Sequence, residues 1–378
     1  MTDPIARLDA VHRALATVID PELRRPIAEL GMLKDVDIDD GGNVTVQVLL
    51  TIAGCPLRGT ITEDVRRALE PVPGVAGINV LMDVMTPEQR KALKEQLHAG
   101  GRGNPFADPA SLTRIYAVAS GKGGVGKSSV TVNLACAMAA KGLRVGIIDA
   151  DIYGFSVPGL MGITHAPTRV DEMILPPVAH GVKVISIGMF VTGNQPVAWR
   201  GPMLHRALEQ FLTDVYFGDL DALFLDLPPG TGDVAISVSQ LLPASRLLVV
   251  TTPQSAAADV AERAGSIAAQ TGQQVAGVVE NMSWLDLADG SRLDVFGSGG
   301  GRLLAERLSA SLGTDIPLLG QIPLEQRLRE GGDSGLPIVL DDGDAGRSPA
   351  AAALRSIAEG LSAVPRGLAG RPLGIAPA

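Results

Sequence analysis

The apolar positions of the first hundred residues change period as the chain advances. Ile5, Leu8, Val11, Leu15 and Val18 recur at helical spacing behind Asp3-Pro4, an N-cap followed by a proline suited to the first helical turn. Val36-Asp37-Ile38 and the run 44–50 then take strand character around Asp39-Asp40-Gly41-Gly42-Asn43, which predicts a hairpin. A second helix over 57–69 and a strand over 78–84 complete an expected α-β-β-α-β order. The stretch 99–109 concentrates Gly and Pro and reads as a linker. Beyond it, near-continuous apolar runs at 115–118, 145–148, 222–225, 247–250 and 275–279 alternate with helical stretches. Strands apolar on both faces and separated by helices predict an α/β domain, its mostly parallel sheet covered by helices on both faces. The expected organisation is a small α+β domain over 1–98, a linker over 99–112, the α/β domain over 113–362 and a flexible tail over 363–378, broken by Pro365, Pro372 and Pro377.

Composition changes this picture only by exclusion. A hydrophobic share of 46% can fill a core, and 45 Gly with 26 Pro in 378 residues stay below the level of low-complexity chains. Two cysteines rule out a disulfide framework and a four-cysteine metal site within one chain, and they suit a reducing compartment. The N-terminus does not read as a signal peptide, and the longest apolar runs, such as 246–252, have strand length, so a cytoplasmic protein is expected. A net charge of -9 gives no general attraction to nucleic acid or to an anionic membrane, and neither partner is expected.

Chemistry enters at Gly121-Lys122-Gly123-Gly124-Val125-Gly126-Lys127-Ser128-Ser129, which fits the phosphate-loop pattern between a predicted strand and an apolar helix. Glycines let successive backbone N–H groups turn toward phosphate oxygens. Lys127 would neutralise them, and the Ser128 hydroxyl would ligate Mg2+ at the positive end of the helix. The chain has only seven lysines, and two of them lie in this loop. Two predicted strands end in acids, one in Asp149-Ala150-Asp151 and the other in Asp226-Leu227-Pro228-Pro229-Gly230-Thr231-Gly232-Asp233. Carboxyl ends of parallel strands line the ligand crevice, so these acids converge on the phosphates. Asp233 can equally cap the next helix, and Gly230-Thr231-Gly232 has the backbone freedom of a switch loop.

With Lys122 in place, the loop resembles the deviant Walker A motif of MinD/ParA-type ATPases. That resemblance implies ATP as ligand and a homodimer across the nucleotide site, with Lys122 reaching the partner's nucleotide. It also implies catalytic roles for Lys127 and for Asp151, which would orient the attacking water. Asp226 resembles the Walker B acid that holds Mg2+ through water, and Asp149, the upstream partner of Asp151, is expected with Ser128 and Asp226 among the Mg2+ ligands. Asn281 and Pro323 resemble an adenine-contacting residue and a base-pocket segment, though either can be an ordinary turn residue. Asp149–Ser156, Asp226–Asp233, Val279–Ser283 and Val295–Gly300 narrow the match to the Mrp/ApbC branch of ATP-dependent iron-sulfur cluster carriers. Val18–Leu23 and Thr51–Pro56 resemble the small SufT-like domain of metal-sulfur cluster assembly proteins. The implied function is ATP hydrolysis coupled to handing iron-sulfur clusters to recipient apoproteins. The alternatives are a nucleotide-switched positioning ATPase of the MinD/ParA kind and a nucleotide-gated scaffold without a cluster.

One departure bears on the cargo. Many members of the branch carry a C-x-x-C pair between the Asn-Met-Ser and Phe-Gly segments, whereas here the interval 284–295 holds no Cys and no His. Asp286, Asp289 and Asp294 are hard oxygen donors unsuited to a cluster, and Asp289-Gly290 reads as a β-turn. Cys136 sits among apolar helix residues as an inert thiol. Cys55 precedes Pro56 at a helix start, where the dipole would lower its pKa and make it a candidate cluster ligand; a small buried turn residue is the other reading.

Overall fold

A computed structural model describes residues 4–52, 54–97, 103–152, 154–190, 201–230, 233–254, 268–269, 271–341 and 348–363. The chain divides into two compact units, one of 1–103 with 167–177 and 214–218, the other of 104–166, 178–213 and 219–378.

Unit one begins with α1 (Pro4–Leu15), β1 (Leu33–Ile38), β2 (Asn43–Leu50), α2 (Arg58–Leu69), β3 (Gly77–Val84) and α3 (Pro87–Leu97). The β1–β2 hairpin closes where the Asp39 carboxylate accepts the Asn43 N–H at 2.7 Å, and β3 adds parallel to β2. Alternation along β2 sends Val44, Val46 and Val48 into a core with Val11 and Leu15 of α1 and Ile61, Val65 and Leu69 of α2. Helix α3 was not anticipated, because only Leu93 of it is buried and its sequence carries no apolar stripe. Its signal lies in the cap: Thr86 and Gln89 exchange side-chain and backbone hydrogen bonds ahead of Pro87, as in a capping box.

Unit two opens with β4 (Arg114–Ser120), α4 (Lys127–Ala140), β5 (Val145–Asp149) and α5 (Val157–Leu160). The chain then supplies unit one with a hairpin, β6 (Thr168–Val170) and β7 (Met173–Leu175), whose Val170, Met173 and Leu175 join that unit's core. It returns through β8 (Val178–Ala179), β9 (Val182–Ser186) and α6 (Gly201–Thr213), and gives 214–218 to unit one, where Val215 bridges to Ile174. The remainder is β10 (Ala222–Asp226), α7 (Asp233–Leu241), β11 (Arg246–Thr251), β12 (Gln274–Asn281), β13 (Leu285–Asp286), β14 (Arg292–Leu293), α8 (Gly300–Leu312), β15 (Leu318–Ile322), α9 (Gln326–Ser334) and α10 (Pro349–Ala363).

Eight strands form one sheet in the order β15-β12-β11-β4-β10-β5-β9-β8, parallel throughout except for β8. All five predicted apolar runs lie in it, which bears out the α/β expectation. β9 and β15 escaped the pattern because Lys183 interrupts one, and Gly320-Gln321 the other. Gly320 is there for packing, since a Cβ at that position would stand 2.8 Å from Ile357 of α10. Helix α4 is apolar around most of its circumference and is buried accordingly, between the sheet and Leu354, Ile357 and Leu361 of α10. Across this layer Tyr116 stacks on Phe224 at 5.3 Å and donates its hydroxyl hydrogen to the Leu361 carbonyl at 2.9 Å.

Residue 98 of the expected first domain and residues 99–102 of the expected linker lie outside the described residues. From Asn104 onward the chain is anchored: Phe106 is buried, and the Asn104 amide donates to the Leu241 carbonyl at 2.9 Å. Of the expected tail, Ala363 closes α10, and 364–378 lie outside the described residues.

Candidate nucleotide site

The loop from Gly121 to Gly126 joins the buried end of β4 to the start of α4. Gly124 and Gly126 have φ of +78° and +80°, in the left-handed region where other residues are strained. Gly126 is also sterically required, because a Cβ there would collide with the Asn281 amide.

The Lys127 ammonium meets Asp226 Oδ1 at 2.7 Å, and both side chains are almost wholly buried. Ser128 Oγ donates to Asp226 Oδ2 at 2.6 Å, while Thr131 Oγ1 donates to Asp226 Oδ1 at 2.9 Å. In-register pairing sets Asp226 opposite Asp149 on β5 and Val118 on β4, so the two acids end neighbouring strands side by side. Asp149 is fully buried and accepts hydrogen bonds from the Asp151 N–H (3.2 Å), the Val157 N–H (3.3 Å) and Ser186 Oγ (3.1 Å). Burial first, and the neighbouring Asp226 charge second, push its carboxyl up to about 7. Asp151 is also buried, with its Oδ1 accepting the Gly154 N–H at 2.9 Å. Thr131 and Ser186 were missed in the sequence. Thr131 stands one helical turn beyond Lys127 on the same face, which is the signal that could have found it; Ser186 ends a strand that the apolar pattern did not reveal.

Lys122 points to neither acid. Its ammonium donates to Gln254 Oε1 at 2.6 Å, a partner the sequence did not suggest. Gly230, with φ of +94°, donates its N–H to the Ser120 carbonyl at 2.9 Å, while Thr231 and Gly232 lie outside the described residues. Asp233 begins α7, and its side chain also lies outside them.

Asn281 ends β12 opposite Ile322 of β15, which brings Pro323 beside it. The two line an open pocket of about 240 Å3 together with Gly126, Ser129, Met282 and Arg329. Asn281 Nδ2 donates to the Val125 carbonyl at 2.9 Å, and its Oδ1 is buried without a hydrogen-bond partner. A buried acceptor left unpaired costs about 1–3 kcal/mol unless a ligand donates to it.

The cysteines are not part of this cluster. Cys136 is fully buried with its thiol pushed up to about 12 by loss of solvation. Cys55 is half-buried two residues before Leu57, the N-cap of α2. Its expected low pKa is corrected by the structure: burial raises it, the Leu57 N–H opposes this only in part, and Glu22 and Asp20 raise it further. Residues 285–293 form the β13–β14 hairpin, turning at Gly290 with φ of +82°, and Asp289 Oδ1 caps the turn from the Ser291 N–H at 2.9 Å. Among the described residues no group of three or more His, Cys, Asp or Glu is arranged to hold a metal ion.

A family described as NUBPL iron-transfer P-loop NTPase matches residues 111–362, which include the whole site from Gly121 to Pro323. The chain belongs to that family. A second family, described as iron-sulfur cluster assembly protein, matches residues 8–80, inside unit one. The iron-sulfur cluster carrier protein of Mycobacterium tuberculosis is 63% identical over 370 residues, covering 97% of this chain and 96% of the relative. That of Synechocystis sp. is 42% identical over 362 residues, covering 94% and 96%. Among solved structures, the nucleotide-binding protein from Archaeoglobus fulgidus in complex with ADP is 34% identical with a TM-score of 0.52, covering 66% of this chain and 91% of that one. The resemblance read from the phosphate loop and the strand-end acids is thus borne out at the level of the family. As a member of the iron-transfer P-loop NTPases the chain carries the nucleotide fold of that group in unit two. No helix among the described residues is long and apolar enough to cross a membrane.

Proposed function

We propose that this chain binds and hydrolyses ATP with Mg2+ as a homodimer and carries iron-sulfur clusters to recipient apoproteins in a reducing cytoplasm. The observation that carries the reading is the convergence of Lys127, Ser128 and Thr131 on the buried Asp226 at the mouth of the phosphate loop. A Lys–Asp pair taken out of water is expensive to maintain, so its presence marks a site organised for another ligand.

The donor set fits Mg2+: the Ser128 hydroxyl and the carboxylates of Asp226 and Asp149 are hard oxygens, and one or two carboxylates plus phosphate oxygens is its usual environment. When bound, the ion would neutralise charge on the phosphates. The chain's own residues supply the rest. Lys127 is already desolvated and fixed at the loop, so little ordering remains when phosphate arrives. The loop N–H groups and the N-terminus of α4 face the same anion. Asp151, at the carboxyl end of β5, would orient the attacking water. Asn281 turns its amide nitrogen inward to Val125 and leaves Oδ1 as acceptor, which suits the exocyclic amine of adenine and repels the O6 of guanine.

For the cargo, an iron-sulfur cluster requires thiolate. Cys136 is sealed in the core, which leaves Cys55 as the candidate ligand. Its raised pKa is no bar, because a coordinating thiol gives up its proton to the metal. Anaerobic reconstitution of the full chain with iron and sulfide, followed by absorption spectra and transfer to an apoprotein, tests the reading in wild type and Cys55→Ala. Stoichiometric cluster in wild type is expected; its absence removes the carrier function from the isolated protein. A cluster that survives Cys55→Ala removes Cys55 as a required ligand.

A further inference from the structure

The contact between Lys122 and Gln254 arises from topology. β4 and β11 are parallel, with Ser120 opposite Val250, so the residue two beyond Ser120 and the residue four beyond Val250 meet. Both backbones are pinned. Ser120 Oγ donates to the Lys122 carbonyl at 3.0 Å, and the Pro253 carbonyl accepts the N–H of Gly300 at the start of α8 at 3.1 Å. The acceptor itself is a neutral amide, and both side chains are half-buried. An amide can aim a cation without cancelling its charge, and a charged phosphate oxygen is the stronger acceptor of the two. A carboxylate in the same place would hold the lysine by an ion pair and compete with phosphate.

We propose that Gln254 is a positioning residue for ATP hydrolysis: it stores Lys122 against its own subunit and releases it to a triphosphate on a second copy of this chain. The inference rests on the proposed role of Lys122 across the dimer. In the resting chain the lysine is held to Gln254, so dimer closure exchanges one hydrogen bond for a stronger one instead of ordering a free side chain.

Two shape-matched variants test this. Gln254→Glu converts the amide to a carboxylate, and Gln254→Met removes the acceptor. The measurement is steady-state ATP hydrolysis against protein concentration, which yields the concentration for half-maximal specific activity, together with KM for ATP and the melting temperature. Lys122→Ala is run in parallel, alone and combined with Gln254→Glu. The Glu variant, which holds the lysine by an ion pair, should raise the half-maximal concentration on the order of tenfold, and the Met variant, which leaves the lysine to be ordered at closure, should raise it by a smaller factor, with KM for ATP changed less than about twofold. Added to Lys122→Ala, the Glu substitution should do nothing further to ATP-driven dimerisation measured by light scattering. If Lys122→Ala is inactive while both Gln254 variants keep the wild-type concentration dependence, storage by Gln254 is overturned and the dimer reading stands. An effect of Gln254→Glu that persists without Lys122, or that merely tracks a lowered melting temperature, overturns it too. Wild-type hydrolysis by Lys122→Ala overturns the dimer reading itself.

Discussion

Asp149 should make the stability of the nucleotide-free protein fall as pH rises through the mildly acidic range. Its carboxyl is raised from the ordinary 3.8 to about 7, so between those values the native chain keeps a proton that the unfolded chain releases. A group with a raised folded pKa contributes stability that is fully present below the unfolded value and lost as pH climbs through the folded one. The slope for one such proton is about 1.4 kcal/mol per pH unit, and over the whole interval the loss approaches ~4 kcal/mol. The exposed carboxyls of Asp39, Asp83, Glu88 and Asp289 are lowered, so they act with the opposite sign and at lower pH. The perturbation is Asp149→Asn. The amide cannot titrate, and its single oxygen serves only one side of the set Asp151 N–H, Val157 N–H and Ser186 hydroxyl, so the lost hydrogen bonds cost the variant a fixed amount, while the pH-dependent part of the wild-type stability is removed with the titrating proton. The assay is urea unfolding in EDTA at pH 4.8, 5.5 and 6.2, buffered alike, with wild type and variant compared at each pH. Differences cancel every other titrating group. The variant should lose the downward slope, so its deficit against wild type should shrink by ~1–2 kcal/mol across the series. A deficit that stays constant with pH refutes the raised carboxyl and the argument from burial behind it.

The same geometry sets four further outcomes. Lys127→Ala should abolish hydrolysis, and by stranding the buried Asp226 carboxylate it should cost ~3–5 kcal/mol in unfolding; unchanged turnover would remove the phosphate-loop assignment. Gly126→Ala should weaken ATP binding, measured by calorimetry, far more than Gly124→Ala, since both positions have positive φ but only at Gly126 does a Cβ meet the Asn281 amide. Asn281→Ala should narrow the preference for ATP over GTP in competition binding, and an unaltered preference would show that the unpaired Oδ1 does not read the base. Under a thiol-specific disulfide reagent the native protein should expose a single slow thiol, Cys55, whose rate keeps rising past pH 9; a rate that plateaus near neutrality would contradict its raised pKa.

What the sequence disclosed and what it withheld have different physical origins. The phosphate loop was legible because its requirements are local: glycines where φ turns positive, a lysine and a hydroxyl at fixed offsets, and a helix directly after them. Asp149 and Asp226 were legible because each closes an apolar strand, and parallel strands bring their carboxyl ends to one edge whatever their order. Thr131 had a local signal, one helical turn past Lys127, that went unread, but Ser186 and Gln254 had none, because what makes them matter is which strands are neighbours. Placing β4 between β10 and β11 takes 222–226 and 246–251 to opposite sides of 114–120, and no linear pattern states that order. The excursion of 167–177 into unit one is hidden for the same reason, since Val170, Met173 and Leu175 are as apolar as the core they left behind. Cys55 shows the limit from the other side. Its place just before a helix implied a lowered pKa, but that argument counts one dipole and omits solvent. Burial and two acids brought from residues 20 and 22 outweigh the helix N–H groups, and both enter only when distant segments fold together. Local chemistry therefore names the residues that can act on ATP, while the contacts that set their charge and aim, Gln254 on Lys122 and Asp226 on Asp149, are properties of the sheet.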